Sequence, residues 1–197
     1  MRKVILIIVA ILIIAGIAIF LGLLQKAGRD ERDLQFNGNG SPTPIITSVP
    51  SEMKITSTVF EDNQPIPVKY SCDGENINPP LAFSDVLGEA VSLVLIVDDP
   101  DAPGGDWVHW LLWDIDPATV QIDENSFPSE ATQGTTSFGS AGYGGPCPPS
   151  GTHRYVFKLY ALDTNLNLPS SVKKTDLLEA MVGHTLAQSE LIGLYSR

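Results

Sequence analysis

The chain begins with an apolar run of 21 residues, Val4 to Leu24, that carries no charged side chain. A helix of about 20 apolar residues crosses the hydrocarbon core of a bilayer, so the run predicts a transmembrane anchor within residues 1–25. A cleaved signal peptide is the alternative, but its apolar core is usually about 7 to 15 residues long and ends at small residues. Here the run ends at Leu24 with Lys26 close behind, which favours an uncleaved anchor.

The cysteine content indicates in which cellular compartment the folded domain lies. Basic residues flank the apolar run on both sides, so charge alone does not orient it. The chain has two cysteines, Cys72 and Cys147, and a single pair behind an export-type N-terminus predicts one disulfide bond. Two free, buried thiols in a cytosolic domain are the alternative. We therefore expect a single-pass protein of the cell membrane, with residues 4–24 in the lipid bilayer and the domain outside the cytoplasm.

Charge narrows the range of partners. Beyond residue 33 the chain carries 7 basic and 20 acidic residues, a net charge of −13. Nucleic acid binding depends on Lys and Arg side chains that neutralise phosphates, so a nucleic acid is not expected as a partner. Peripheral attachment to anionic lipid is disfavoured for the same reason. Contact with the bilayer is therefore assigned to the apolar run alone.

Two further segments follow the anchor. Residues 26–52 are charged at first and then rich in Gly, Ser and Pro, with no apolar periodicity, which is typical of a flexible linker. Residues 53–197 have the size of one ordinary domain. Its apolar segments are short, rich in branched and aromatic residues and bounded by turn formers, which predicts a mainly β, antiparallel domain. The predicted strands are Ile55–Phe60, Val91–Val97, Val108–Ile115 and Arg154–Leu162, and one helix capped by Thr175 is predicted at Thr175–Val182.

An acidic, proline-rich turn lies between the second and third of these strands. Pro100 and Pro103 restrict the backbone, which predicts that Asp99 and Asp101 are held in one geometry. Carboxylates fixed on a loop beside a rigid strand indicate a site. The turn runs into an aromatic strand, and alternation of side chains predicts a shared face for four of its residues. These are Trp107, His109, Leu111 and Trp113.

A second turn, Gly142 to Gly151, is rich in glycine and proline and leads into the last predicted strand. Glycine permits a close approach of the backbone, and proline makes the loop rigid. His153 and Tyr155 follow on one face of that strand. A lone histidine near a strand end is most often a packed or hydrogen-bonded residue, but here two turns each lead to a histidine at the start of a strand. We therefore expect the two turns to form one site.

These two motifs resemble those of the phosphatidylethanolamine-binding protein family, in its bacterial and archaeal Raf-kinase-inhibitor-like branch. The segment Asp99-Pro100-Asp101-Ala102-Pro103, with Trp107 and His109, is similar to the first signature of the family, and Gly142 to Tyr155 is similar to the second. Cys72-Asp73-Gly74 with Pro79-Pro80-Leu81 resembles a lesser third motif. The resemblance covers nearly the whole domain, from about residue 55 to the C-terminus.

The resemblance implies a sandwich of two antiparallel β-sheets in Greek-key connection with a few short helices. It also implies a small surface pocket that accepts phosphate, acetate or a phospholipid headgroup. We expect a binding module rather than an enzyme, with no cofactor, metal or catalytic residue. Transferred by position, the ligand-binding residues are Asp99, Trp107, His109, Gly145, Pro146, Cys147, His153 and Tyr155, and the supporting residues are Asp101 and Arg154.

Two other functions stay open. A hydrolase would use Asp99, His109 and His153, or Cys147 as a nucleophile if it is unpaired. The sequence has no Gly-x-Ser-x-Gly elbow and no His-Glu-x-x-His motif, which argues against this reading. An inhibitor of a protease or a kinase would use the pocket loops. The chain departs from mammalian members at two positions, Phe83 and Val108, and these departures argue against kinase inhibition.

A carboxylate beside two histidines also predicts a pH dependence. A nearby carboxylate raises the pKa of an imidazole, and an imidazolium donates charge-assisted hydrogen bonds to an anion. We expect the affinity for phosphate to fall as pH rises through a histidine pKa that lies at or above about 6.5.

Overall fold

The computed structural model describes residues 52–197, which include the whole predicted domain. The predicted anchor, residues 1–25, lies outside the described residues, as does all of the predicted linker except Glu52. Within the described part of the chain, no helix has the length and apolarity that a membrane crossing requires.

The described residues form nine strands in two sheets, with one short α-helix. The strands are β1 (Lys54–Thr56), β2 (Gln64–Pro65), β3 (Leu81–Ser84), β4 (Ser92–Asp99), β5 (Trp107–Ile115), β6 (Gln121–Ile122), β7 (Thr132–Gln133), β8 (Thr152–Leu162) and β9 (Thr185–Ser196). The helix is α1 (Lys174–Ala180), and a single 3₁₀ turn covers Val68–Tyr70. The smaller sheet has the order β1-β3-β6 and the larger sheet the order β2-β9-β8-β4-β5-β7.

The predicted mainly β class is confirmed, with one departure in strand direction. All neighbouring strands are antiparallel except β2 and β9, which run parallel at the edge of the larger sheet. The expectation of two wholly antiparallel sheets is therefore wrong at this edge. More than a hundred residues separate β2 from β9, so no hairpin fixes their relative direction.

Three of the four predicted strands correspond closely to β4, β5 and β8, whereas the first is cut short at Thr56 in β1. The longest strand of the domain, β9, was not predicted. Most of its side chains are exposed or half-buried and Gly193 interrupts them, so its sequence carries no clear apolar alternation. Pairing along nearly the whole of β8 holds this strand in the sheet instead.

The predicted helix is present but is capped differently. It begins at Lys174, one residue earlier than expected, and ends at Ala180. The Asp176 carboxylate accepts a hydrogen bond from the backbone N–H of Lys173 at 3.1 Å. Thr175 therefore lies in the first turn, and Asp176 satisfies a free amide at the start of the helix.

Strand β4 lies inside the larger sheet, and all eight of its residues are buried. Leu95 and Val97 belong to the core shared with the smaller sheet, which includes Phe83. Ile96 belongs to a second core, which includes Leu177 of α1. Because both faces of the strand are covered, its sequence is an unbroken apolar run until it reaches two aspartates.

Asp98 and Asp99 end β4, and both side chains are buried. Lys158 Nζ of β8 lies 2.9 Å from Oδ1 of Asp98, and Lys174 Nζ of α1 contacts Oδ2 of the same carboxylate. Lys174 also contacts Asp106, the residue that precedes β5. A buried charge requires partners of this kind, so the network joins β4, β8, α1 and the start of β5 around Asp98.

Strand β5 contains a β-bulge at His109. The consecutive β4 residues Val97 and Asp98 pair with Trp110 and Val108, so His109 is the extra residue between them. The prediction that one face of β5 carries all four side chains is therefore wrong after His109, because the last two of the four lie in the core beside α1. They are Leu111 and Trp113. Bulges of this kind re-aim side chains next to binding sites.

We expect Lys174→Met to lower the free energy of unfolding by about 3 kcal/mol, because it leaves the buried Asp98 carboxylate with one cationic partner instead of two. Lys173→Met is the matched control. The Lys173 side chain is exposed and makes no ion pair within residues 52–197, so a change within about 0.5 kcal/mol is expected. Urea unfolding of the full chain measures both, followed by the fluorescence of the tryptophans, all of which lie in β5. Equal stability of the two variants would contradict this role of the buried carboxylate.

Candidate functional site

An open cavity of about 330 Å³ lies between the acidic turn and the glycine- and proline-rich turn that precedes β8. Five of the predicted ligand-binding residues line it: Asp99, Trp107, His109, Cys147 and His153. The rest of the wall consists of Ala102, Pro103, Gly104, Phe138 and Pro149. Two histidines and a carboxylate that are far apart in the sequence thus meet around one solvent-accessible space.

Asp99 and His153 form a polar pair in the wall of the cavity. Nδ1 of His153 lies 2.7 Å from Oδ2 of Asp99, and both side chains are largely buried. A carboxylate accepts, so Nδ1 carries the proton and donates it. Oδ1 of Asp99 accepts from the backbone N–H of Asp101 at 2.8 Å. The protein uses both oxygens of Asp99, and Nε2 of His153 is the ring nitrogen that is left for a ligand.

Asp101 and Arg154 attach the acidic turn to β8. Arg154 donates from Nη2 to Oδ1 of Asp101 at 2.7 Å and from Nε to Oδ2 at 2.9 Å. The backbone N–H of Arg154 also donates to Oδ2, at 3.0 Å. These hydrogen bonds lower the pKa of Asp101 to about 2. The two residues thus hold the turn beside His153 without lining the cavity themselves.

His109, the bulge residue, is held by the second turn. Its Nδ1 lies 2.6 Å from the carbonyl oxygen of Gly144, which can only accept, so Nδ1 carries a proton. Burial lowers the pKa of His109, and the hydrogen bond to Gly144 together with the carboxylates of Asp99 and Asp98 only partly opposes this. The expectation that the acid raises the pKa of both histidines is therefore wrong for His109, because desolvation outweighs the charge. At neutral pH its Nε2 is an acceptor.

Phe138 is a wall residue that sequence reasoning missed. Its ring makes edge contacts with Trp107 and His109, at centroid distances of 5.6 and 5.3 Å. The side chain is 47% exposed although it is aromatic. Phe138 lies in a turn between β7 and β8, outside both motifs, and a single phenylalanine between small polar residues gives no periodic signal.

Tyr155 lies behind the cavity wall rather than in it. Its ring makes an edge contact with the His109 ring at a centroid distance of 5.1 Å. Its hydroxyl is buried and has no hydrogen-bond partner of good geometry within residues 52–197. Burial raises the pKa of Tyr155, and the charge of Asp99 adds to this effect. The hydroxyl therefore stays protonated, close to the Asp99 carboxylate and to the backbone of Cys147.

Gly145 and Pro146 also do not line the cavity, but they position the second turn. The backbone N–H of Gly145 donates to Oδ1 of Asn76 at 2.7 Å. A Cβ at Gly145 would lie 2.5 Å from the carbonyl oxygen of Tyr70, so only glycine fits there. The carbonyl oxygen of Pro146 accepts from the backbone N–H of Cys72 at 3.1 Å.

The predicted disulfide joins Cys72 to Cys147, with 5.5 Å between the Cα atoms. Both cysteines of the chain are used in it, so neither is a free thiol. Cys147 lines the cavity, and the disulfide therefore ties its wall to the segment after the 3₁₀ turn. While the bond is intact, Cys147 cannot act as a nucleophile.

Comparison with known proteins identifies the family to which the domain belongs. Residues 56–196 match the family model described as phosphatidylethanolamine-binding protein. The chain is 51% identical over 150 residues to a UPF0098 protein of Methanothermobacter thermautotrophicus, a match that covers 74% of this chain and 99% of the relative. It is 47% identical over 150 residues to a UPF0098 protein of Chlamydia trachomatis, with the same two shares.

Two solved structures have a similar fold. A proposed phosphatidylethanolamine-binding protein homolog from Chlamydia trachomatis has a TM-score of 0.72 and 47% identity, over 74% of this chain and 98% of that one. YbcL of E. coli, described as a new member of the mammalian PEBP family, has a TM-score of 0.70 and 29% identity, over 75% of this chain and 99% of that one. Because the matched family model spans both turns and every residue that lines the cavity, the chain belongs to the phosphatidylethanolamine-binding protein family.

Proposed function

We propose that the domain binds a small anionic group, inorganic phosphate or the phosphorylated headgroup of a lipid, and does not transform it. The observation that carries this proposal is the convergence of His109, His153 and Asp99 on an open cavity of about 330 Å³. Each histidine uses Nδ1 for a contact inside the protein. Each therefore has its Nε2 available for a ligand, which suits an anion once that nitrogen is protonated.

The apolar part of the wall favours a phosphorylated group that carries an ammonium. Trp107, Phe138 and Pro103 border the polar residues of the open cavity, and a ligand seated against them would displace water from around its own hydrogen bonds. An ammonium is attracted to the face of an indole ring and to the carboxylate of Asp99. Phosphoethanolamine combines both groups, in agreement with the family description.

A binding role fits the wall better than a hydrolytic one. Among residues 52–197, no serine or threonine lines this cavity, and Cys147 is held in the disulfide. A hydrolase would have to activate water with the Asp99–His153 pair, whose hydrogen bond has the arrangement of an acid–base couple. Release of phosphate from phosphoethanolamine by the purified chain would favour that second candidate. Inhibition of a protease through the two turns is a third candidate. The exposed Trp107 side chain could contact such a protease.

We also propose that residues 4–24 tether the domain to the cell membrane and that it lies outside the cytoplasm. The length of the apolar run supports the tether. The disulfide supports an oxidising compartment, since cytosolic thiols are kept reduced. An acidic domain has no affinity of its own for anionic lipid, so the position of the pocket near a bilayer depends on the anchor.

The first test concerns His153. We expect His153→Ala to weaken the binding of phosphate and of phosphoethanolamine at least tenfold, because it removes a charge-assisted hydrogen bond worth about 1.5 to 3 kcal/mol. His184→Ala is the matched control. His184 has the same Nδ1 contact with a carboxylate, that of Asp163 at 2.7 Å, but does not line the cavity. Titration calorimetry that gives both variants the same affinity would exclude the proposed site.

The second test concerns pH. His109 is neutral at pH 7 because burial lowers its pKa, against the opposing charges of Asp99 and Asp98. An anion favours the protonated ring, so affinity is expected to rise as pH falls below about 6.5, the ordinary histidine value, and proton uptake should accompany binding. Glycerophosphoethanolamine is a suitable probe, because the charge of its phosphodiester is constant over this range. Calorimetry that shows an affinity independent of pH from about 5 to 7 would contradict the uptake of a proton by His109 on ligand binding.

The third test concerns the compartment. In cells that produce the full chain, both cysteines should resist a maleimide-polymer reagent under denaturing conditions until a reductant is added. A variant that lacks residues 1–25 should stay in the cytosol and react at both cysteines without reductant. Free thiols in the full chain would place the domain in a reducing compartment and overturn this part of the proposal.

A further inference from the structure

A second cavity adjoins the candidate site. It has a volume of about 230 Å³ and is lined mainly by small and polar residues, among them Asn76, Ser140 and Gly144. The two cavities have Phe138 and Cys147 in common. Cys147 is fixed by the disulfide, so Phe138 is the shared residue that has freedom to move.

The backbone on both sides of Phe138 is held in place. The backbone N–H of Thr136 donates to the carbonyl oxygen of Ser140 at 3.0 Å, and that of Gly139 donates to the carbonyl oxygen of Thr136 at 3.0 Å. The backbone N–H of Ser137 donates to the carbonyl oxygen of Val108 at 3.0 Å. The ring, by contrast, is 47% exposed. Its side-chain rotation therefore requires no movement of the turn.

The ring of Phe138 rests on a glycine. A Cβ at Gly144 would lie 2.3 Å from Cε2 of Phe138, so the ring occupies the space that any side chain at that position would take. The carbonyl oxygen of the same glycine holds His109. The ring thus separates the histidines in the first cavity from the polar groups in the second.

The second cavity offers hydrogen bonds that the protein does not use. Oδ1 of Asn76 accepts from the backbone of Gly145, but its Nδ2 has no partner in the described chain. The hydroxyl of Ser140 likewise makes no hydrogen bond within residues 52–197. An amide donor and a hydroxyl suit the hydroxyl groups of a polyol, whereas the apolar wall of the first cavity does not.

We propose that Phe138 is a specificity-determining partition, and that the second cavity is an extension subsite for the hydroxylated part of a phosphorylated ligand. The inference rests on the proposed function, because the phosphate occupies the first cavity. With the ring on Gly144, the site takes a group the size of phosphate or phosphoethanolamine. When the ring turns outward, a ligand whose phosphate carries a glycerol unit reaches Asn76 and Ser140.

The test compares ligands with and without the extension. Calorimetry on the full chain measures the dissociation constants of inorganic phosphate, glycerol 3-phosphate and glycerophosphoethanolamine. The quantity compared is the dissociation constant of inorganic phosphate divided by the dissociation constant of a glycerol-containing ligand. We expect Phe138→Ala to raise this ratio about fivefold, the value of one additional hydrogen bond. If the ratio rises only for glycerol 3-phosphate, the ligand class is a soluble phosphomonoester. If it rises for the phosphodiester glycerophosphoethanolamine, the ligand class is a lipid headgroup.

A second variant shows whether the gain comes from the second cavity. Ser140 lines that cavity but not the first, so Phe138→Ala/Ser140→Leu refills the space and is expected to return the ratio to the value of the unmodified chain. An unchanged ratio in Phe138→Ala, or a gain that survives in the double variant, overturns the partition while phosphate binding persists. Failure of the unmodified chain to bind phosphate overturns the proposed function instead.

Discussion

Two consecutive buried carboxylates at the end of β4 determine how the rest of the domain is arranged. Successive side chains of a strand point to opposite faces of its sheet, so Asp98 and Asp99 each need a partner on a different side. Asp98 draws Lys174 of α1 and Lys158 of β8 to one face. Asp99 draws His153 to the other face, where the cavity lies. One pair of residues thus couples the position of the helix to the geometry of the site.

The site also depends on irregular backbone rather than on ideal strands. With strict alternation across β5, His109 would share its face with Leu111 and Trp113, which are buried beside α1. The bulge removes this conflict, because it lets His109 take the cavity side while the strand beyond it keeps both cores filled. The Gly144 carbonyl then fixes the ring from outside the sheet. The position of His109 is therefore determined by the register of the sheet and by the second turn together.

Sequence reasoning identified the parts of the site that local chemistry determines. Prolines and glycines mark the two turns, and the histidines follow directly after them. It did not identify β9, whose exposed residues are held by pairing with β8, or Phe138, which acquires its role from Gly144 beneath it. It also misjudged the pKa of His109, because a sequence shows which charges are near but not how much water is excluded. The pairing of β9 with β8, the burial of His109 and the contacts of Phe138 with Trp107 and His109 all join segments distant in the chain, whereas the contact of Phe138 with Gly144 lies within one loop.

The anion site that we propose lies in a strongly acidic domain, which raises a question of long-range electrostatics. Residues 34–197 carry a net charge of −13, which repels an anion at distances up to the Debye length of about 8 Å. A ligand inside the cavity would contact the imidazole nitrogens directly, and charges at contact distance act more strongly than distant ones. A zwitterionic phosphodiester such as glycerophosphoethanolamine avoids the long-range repulsion, since its one ammonium offsets its one phosphate charge. On the proposed function, the charge of the whole domain would therefore favour the same class of ligand as the Trp107 and Asp99 side chains would at close range.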